Sequence, residues 1–271
     1  IRYRPVEVEP ARLDALRSRL TTAGLAALLA PDPGLDGVPI PVEAGAVVAN
    51  EVLDALPVHR VIGRTGGIRE LLVTNGDGGA FRALEAEATT PGLATRLAEE
   101  GIELADGQVT EVCLALDTWL EGATRHLGQG VVVLVDYADE PAELHGPARP
   151  SGTLRAFARH AVGGDPFRHV GRQDLTATVD LAAVRTAAAR AGLSAVGETT
   201  QAELLARAGT AELTGTYLRR PGATIEDALL LRSALARLLD PRGMGGFRVL
   251  VIGRGMPAGL ALPLLERLRR P

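Results

Sequence analysis

Acids and amides stand at three points in this sequence where an apolar run ends. Glu7 and Glu9 follow the strand-like opening Ile1 to Val6, Asn50, Glu51 and Asp54 follow Gly45-Ala-Val-Val-Ala49, and Asp136 closes Val131-Val-Val-Leu-Val135. In an open, mostly parallel sheet, ligands bind beyond the carboxyl ends of the strands, so all three groups are expected along one edge. A carboxylate after the strand that precedes the first complete helix can accept both hydroxyls of a ribose, since it holds its lone pairs in one plane. Glu7 is the residue placed for that task. The competing reading is that Glu7 and Glu9 favour the positive end of the next helix. Polar groups directly after a buried run read as functional at Asn50, Glu51 and Asp54.

The elements that must position these groups follow from periodicity. Ala11 to Leu29 carries Leu13, Leu16, Leu20 and Leu28 at helical spacing, which predicts a β-turn-α opening. A Pro- and Gly-rich stretch then precedes Gly45 to Asn50, a run suited to a buried parallel strand. From Val58 to Ala86 short apolar runs alternate with Gly66-Gly67 and Gly76 to Gly79, which predicts a β-hairpin. Thr110 to Leu127 reads as a helix and Val131 to Asp136 as a strand. Tyr137 to Asp180 lacks periodicity and reads as either a functional lid or a disordered stretch. Helices are expected at Leu181 to Ala191, Gln201 to Arg207 and Ile225 to Leu239, with strands at Ser194 to Glu198 and Phe247 to Ile252.

Several chemistries are excluded or weakened. The 271 residues contain no lysine, so a Gly-x-x-x-x-Gly-Lys phosphate loop cannot exist. Gly253-Arg-Gly255-Met-Pro-Ala-Gly259 imitates a dinucleotide loop, but its last spacing is wrong and Pro257 intrudes. One cysteine, Cys113, forbids an intrachain disulfide and reads as packing, and the five histidines show no zinc-ligand spacing. His59, His126 and His145 read as surface or helix-end residues, whereas His160 and His169 share the long loop with Gln173 and Asp174. A net charge of −4 gives no global field for nucleic acid, and no apolar run is long enough to cross a bilayer. Trp119, spaced with Leu116 and Leu120, reads as core.

Taken together, Val6-Glu-Val-Glu-Pro10, Ala49-Asn-Glu-Val-Leu-Asp-Ala-Leu-Pro-Val-His59, Leu134-Val-Asp-Tyr137, Gly152-Thr-Leu-Arg-Ala-Phe-Ala-Arg-His160, Gly171 to Asp180, Thr199-Thr-Gln201 and Met244 to Leu250 carry a resemblance. They resemble the S-adenosylmethionine-dependent methyltransferase family that includes the mitochondrial complex I assembly factor with protein arginine methyltransferase activity, together with its bacterial relatives. The resemblance implies an α/β fold, a class I methyltransferase Rossmann-like sheet of seven strands with the last antiparallel, elaborated by β-hairpin and lid insertions. It assigns 1–57, 108–138 and 180–260 to the core, 58–107 to the hairpin and helical insertion, and 139–179 to the lid. The sequence begins where the second strand would stand, so the N-terminal part of the core, with the family's glycine-rich cofactor loop, is expected to be missing, either by trimming or because this is a degenerate copy. Ala138, Thr178 and Leu181 depart from residues common in the family.

The same resemblance implies S-adenosylmethionine as cofactor, with Glu7 matching the ribose-binding acid and Asn50 and Glu51 the loop beside the sulfonium. Asp136 is a further cofactor-side candidate. An arginine nucleophile is protonated and needs carboxylates to hold its fork and localise its charge. Glu51 and Asp54 are the expected clamp, with Gln173 and Asp174 from the lid as second catalytic choices. The lid would exclude water, with Gly152, Gly163, Gly164 and Gly171 as points of flexibility. A protein substrate follows, such as a respiratory-complex subunit, in a bacterial cytoplasm, with oligomeric state open. The rival expectation is a non-catalytic assembly or scaffolding protein that keeps the methyltransferase shape.

Overall fold

The computed structural model describes residues 1–30, 41–158, 161–163 and 165–257. The Pro- and Gly-rich stretch 31–40, His160, Gly164 and Gly259 lie outside the described residues. The chain comprises two compact units, Ile1–Val42 and Glu43–Pro271.

In the first unit, helix α1 runs from Pro10 to Thr22, with Pro at its first position and Arg19 in its last turn. It ends earlier than Leu29 because Gly24 adopts φ 73° and turns the chain into a single 3-10 turn, Ala26–Leu28. The expected opening strand is reduced among the described residues to one bridge, Tyr3 to Leu29, with Tyr3 N–H donating to Leu28 O at 2.7 Å.

From the boundary onward the chain forms β1 (Val42–Asn50), β2 (His59–Arg64), β3 (Gly67–Asn75) and β4 (Phe81–Glu87). Next come α2 (Leu93–Glu99), β5 (Val109–Val112), α3 (Ala115–Thr124) and β6 (Leu127–Asp136). The stretch expected to be irregular holds β7 (Ala138–Asp139), α4 (Pro141–Leu144), β8 (Arg155–Ala158), β9 (Ala161–Gly163), β10 (Asp174–Thr176) and β11 (Val179–Asp180). The chain continues through α5 (Leu181–Arg190), β12 (Ser194–Thr200), α6 (Gln201–Arg207), α7 (Thr210–Leu218), α8 (Ile225–Leu239) and β13 (Arg248–Arg254).

The main sheet has the order β1-β6-β13-β12, and β13 is antiparallel to both of its neighbours. An antiparallel last strand is what the resemblance led us to expect, and the sheet has four strands among the described residues. Val249, Leu250, Val251 and Ile252 are all buried, as a central strand covered on both faces requires. β1 runs beside β6, with Gly45 against Gly130 and Glu51 N–H donating to Val135 O at 2.9 Å. A Cβ on Gly130 would lie 1.9 Å from Gly45 O, and its φ is 145°, so only glycine lets the two strands approach. Helix α5 covers the sheet by burying Leu181, Val184, Ala187 and Ala188. It starts where Asp180 accepts from Ala182 N and Ala183 N at 2.8 and 3.0 Å.

A second sheet, β4-β3-β2-β5, realises the hairpin expectation and gains a fourth strand. Thr110 to Val112 was read as helix. Instead Thr110 pairs with Val61 and Val112 with His59, because β5 closes the sheet edge and α3 begins only at Ala115. Helix α2 covers this sheet with Leu93 and Leu97 packed on Val61 and Val112, each burial contributing about 1.5–3 kcal/mol. The expected irregular lid contains β8 paired antiparallel with β9 and β10, and β7 paired in parallel with β11. These strands are too short to show a period of two in the sequence. Helix α7 was not anticipated, since it buries no residue and so carries no clear apolar stripe.

Candidate functional site

The site is built where β1 and β6 end side by side. Glu51, the first residue past β1, has φ 49°, a left-handed backbone that costs a non-glycine residue about 1–2 kcal/mol. Strain of this kind persists only where surroundings over-determine it. Here the determinant is Asp136, the last residue of β6, which is 4% exposed. Its Oδ2 accepts from the backbone N–H groups of Val52, Leu53 and Asp54 at 3.2, 2.9 and 3.3 Å. Its Oδ1 accepts from Tyr137 N at 2.9 Å. Asp136 is therefore a positioning residue that folds the 52–54 turn onto the sheet edge.

With its backbone pinned, Glu51 presents an exposed carboxylate. Tyr137 Oη–H donates to its Oε2 at 2.9 Å and Asn50 Nδ2 to its Oε1 at 3.2 Å. The Tyr137 ring rests edge-on against Phe247, centroids 4.2 Å apart, which fixes the direction of the hydroxyl. Asp54 lies beneath at 5% exposure, and its Oδ1 is buried without a hydrogen bond.

These carboxylates perturb one another. Burial, then the charge of Glu51, raises Asp54 above the usual carboxylate range. Burial, then Asp54, pushes Asp136 up to about 7. Burial and the bond to Glu51 push the Tyr137 phenol upward, so it stays a donor. The result is a rim rich in acceptors with one carboxylate facing out and one orphaned oxygen below. Such a rim suits a cation: a sulfonium, an ammonium or a guanidinium.

The stretch from Ala138 to Asp180 is joined to this rim by backbone. Ala177 N donates to Asp54 O at 2.9 Å and Val179 N to Tyr137 O at 2.8 Å. Thr178 N is held by Thr153 Oγ1 at 3.0 Å, and Thr153 N in turn donates to buried Glu111 at 2.6 Å. The structure thus brings Asn50, Glu51, Asp54 and Asp136 together. Gln173 is turned to its own loop, donating to Pro166 O at 2.7 Å. Asp174 is exposed in β10 opposite Phe157. Among the described residues, neither hydrogen-bonds to Glu51 or Asp54. Glu7 belongs to the unit Ile1–Val42, where its Oε1 accepts from Glu9 N at 3.0 Å, and Glu9 makes no side-chain cap on α1.

Tyr137, quoted in the resemblance segment Leu134-Val-Asp-Tyr137 and at the start of the irregular stretch but given no site role from sequence, is brought to the candidate site by its bond to Glu51. Its adjacency to a strand-end aspartate was the available signal. Sequence spacing also gave no hint that Glu100, His145 and Asp180 converge with ligand atoms within 4.8 Å of one another. His145, read as a surface or helix-end residue, ends α4 and is buried. Cys113 is half-buried just past β5, and burial pushes its thiol upward, as suits packing. Trp119 is half-buried on α3, while Leu116 and Leu120 beside it form core.

Residues 1–199 match the family described as "Putative S-adenosyl-L-methionine-dependent methyltransferase". A Burkholderia thailandensis protein crystallised bound to S-adenosyl-homocysteine is similar at 32% identity and TM-score 0.84, over 96% of this chain and 65% of its own. A native structure of a protein from the same organism is similar at 32% identity and TM-score 0.84, over 98% of this chain and 69% of its own. The chain thus spans about two thirds of the length of either. No curated protein matches it. No helix among the described residues is long and apolar enough to cross a membrane.

Proposed function

This chain belongs to the S-adenosyl-L-methionine-dependent methyltransferase family, and from that premise we propose that it binds S-adenosylmethionine and directs methyl transfer to a cationic nucleophile, a protein arginine, held at the Glu51 rim. The observation that carries the reading is Glu51 itself. Its strained backbone, with φ 49°, is pinned so that the carboxylate meets Tyr137 Oη and faces outward. Stored strain of this sort clusters at functional sites.

The residues fit such a cofactor, because an exposed carboxylate and a buried, unpaired Asp54 oxygen are acceptors for positive charge. The bound cofactor supplies a methyl group on a positively charged sulfur. Asn50 and the Glu51 loop hold the cofactor side of the rim. Glu51 and Asp54 align a guanidinium fork and keep its charge away from the attacking nitrogen. Alignment for in-line displacement is the main contribution such a protein can make, since effective molarity rather than covalent chemistry lowers the barrier. Tyr137 fixes the Glu51 carboxylate, and Asp136 fixes the loop. The 139–179 stretch serves as cover, a role supported by its hydrogen bonds to Asp54 O and Tyr137 O. Glu7, in the unit Ile1–Val42, is proposed as a ribose-binding acid by the resemblance of Val6-Glu-Val-Glu-Pro10.

The test uses the intact gene product with tritiated S-adenosylmethionine and arginine- or lysine-bearing peptides, alongside calorimetry. The expected result is cofactor binding, label transfer to arginine peptides, and loss of transfer with binding retained in Glu51→Gln. Glu7→Ala should weaken cofactor binding. Wild-type turnover by Glu51→Gln removes that residue from the chemistry. An intact protein that binds no cofactor is instead the non-catalytic scaffold, and transfer to lysine alone discards the guanidinium clamp.

A further inference from the structure

We propose that Glu100, His145 and Asp180 form a binding site for one divalent transition-metal ion of the zinc class, separate from the Glu51 rim and independent of the methyl-transfer reading. The three residues come from three element ends: Glu100 caps the C-terminus of α2, His145 the C-terminus of α4, and Asp180 the N-terminus of α5. Their side chains are 5%, 2% and 13% exposed. His145 Nε2 stands 3.0 Å from Asp180 Oδ2 and 3.9 Å from Glu100 Oε2. Ligands bound tetrahedrally at 2.0–2.2 Å are about 3.4 Å apart, so these spacings bracket what one ion requires.

Two further observations point to a ligand. Glu100 Oε1 is buried and accepts no hydrogen bond, although its side chain is 95% enclosed, being 5% exposed. A buried carboxylate oxygen without a donor is costly unless a cation or proton is supplied. The three residues also line a cavity of about 30 Å³, room for an ion or one water. Glu100 and His145 lie in addition on an open groove formed with Ile102, Glu103 and Pro141, which gives an entry path.

The surroundings are arranged as metal sites are. Thr110 Oγ1 lies 2.7 Å from His145 Nδ1, which orients the ring and directs Nε2 at the carboxylates. Asp180 Oδ1 is committed to Ala182 N and Ala183 N, so Oδ2 is the oxygen turned to the site. Arg96 lines the same cavity and opposes a cation in part: its Nη2 is paired with Asp117, while its Nη1 is buried without a hydrogen bond. One imidazole with two carboxylates suits zinc, manganese or iron(II) better than an all-oxygen calcium cage. An ion there would tie the hairpin sheet, through Thr110 on β5, to α5 on the main sheet.

The full chain, equilibrated with Zn²⁺ and desalted, should retain one ion per chain by plasma mass spectrometry, and Co²⁺ should give the visible bands of a four-coordinate site. Glu100→Gln and His145→Gln should lose both signals with circular dichroism unchanged. Asp180→Asn should do the same, because Asn caps α5 as well as Asp. Thr110→Val, acting through the ring, should weaken binding roughly 10–100-fold. No metal above the buffer blank would overturn the proposal and leave a cluster that shares only protons. Retention in all three ligand variants, or loss in Cys113→Ser, would overturn it by placing the ion elsewhere.

Discussion

Replacing Asp136 by alanine tests whether one carboxylate positions the whole rim. The change strands four backbone donors: Leu53 N and Tyr137 N, each 2.9 Å from an oxygen, and Val52 N and Asp54 N at 3.2 and 3.3 Å. An orphaned buried donor costs about 1–3 kcal/mol, and three of the four share one oxygen, so the losses do not add fully; about 3–5 kcal/mol is expected. An opposing contribution depends on pH. Burial first, then Asp54, lifts the Asp136 carboxyl from 3.8 to about 7, a change equivalent to about 4 kcal/mol at 1.36 kcal/mol per pH unit. With the folded value raised, the native state binds the extra proton between about pH 4 and 7, so wild-type stability at this site is full below that window and is lost as pH rises through it. The alanine variant lacks this loss. About 1.5 kcal/mol of that loss is already taken at pH 5, so urea titrations should show the Asp136→Ala penalty shrinking by a further amount of about 2–3 kcal/mol between pH 5 and pH 8, with the slope in urea unchanged. A penalty below about 1 kcal/mol at pH 5, or one equal at both pH values, would refute the positioning role.

Three more outcomes follow from the same geometry. Glu51→Gly relieves the left-handed backbone and should stabilise the fold by about 1 kcal/mol in urea while methyl transfer disappears, and a destabilised variant would show the strain is not there. Gly130→Ala sets a Cβ 1.9 Å from Gly45 O and should cost more than about 2 kcal/mol by pushing β1 from β6, with cofactor affinity falling alongside; unchanged affinity in calorimetry would separate strand spacing from the site. Leu120→Ala, at a position with 0% exposure, should lose about 2–5 kcal/mol in thermal unfolding without altering substrate preference.

Much of the framework was legible because local chemistry and tertiary demand agree there. Val131 to Val135 and Val249 to Ile252 are unbroken apolar runs, and only a strand covered on both faces uses such a run. The helices expected at Gln201 to Arg207 and Ile225 to Leu239 form over those residues, and capping boxes of Thr200 with Glu203 and Thr224 with Asp227 start them. The polar residues following Ala49 signalled that the end of β1 is more than a turn. Non-local pairing decided the rest. Thr110 to Val112 fits a helical period, yet it lies in a strand because β2 offers it an edge. Asp136, read from sequence as a contact group, is instead buried beneath the loop it shapes, since only the approach of β1 to β6 brings the Val52 to Asp54 donors to its oxygen. Glu100, His145 and Asp180 are scattered in sequence and meet only because three helix ends converge. Sequence determines where polarity interrupts an apolar run, because that is a property of neighbours along the chain. Which carboxylate faces solvent and which is buried against backbone N–H groups depends on which strands lie side by side, and the tertiary structure alone decides that.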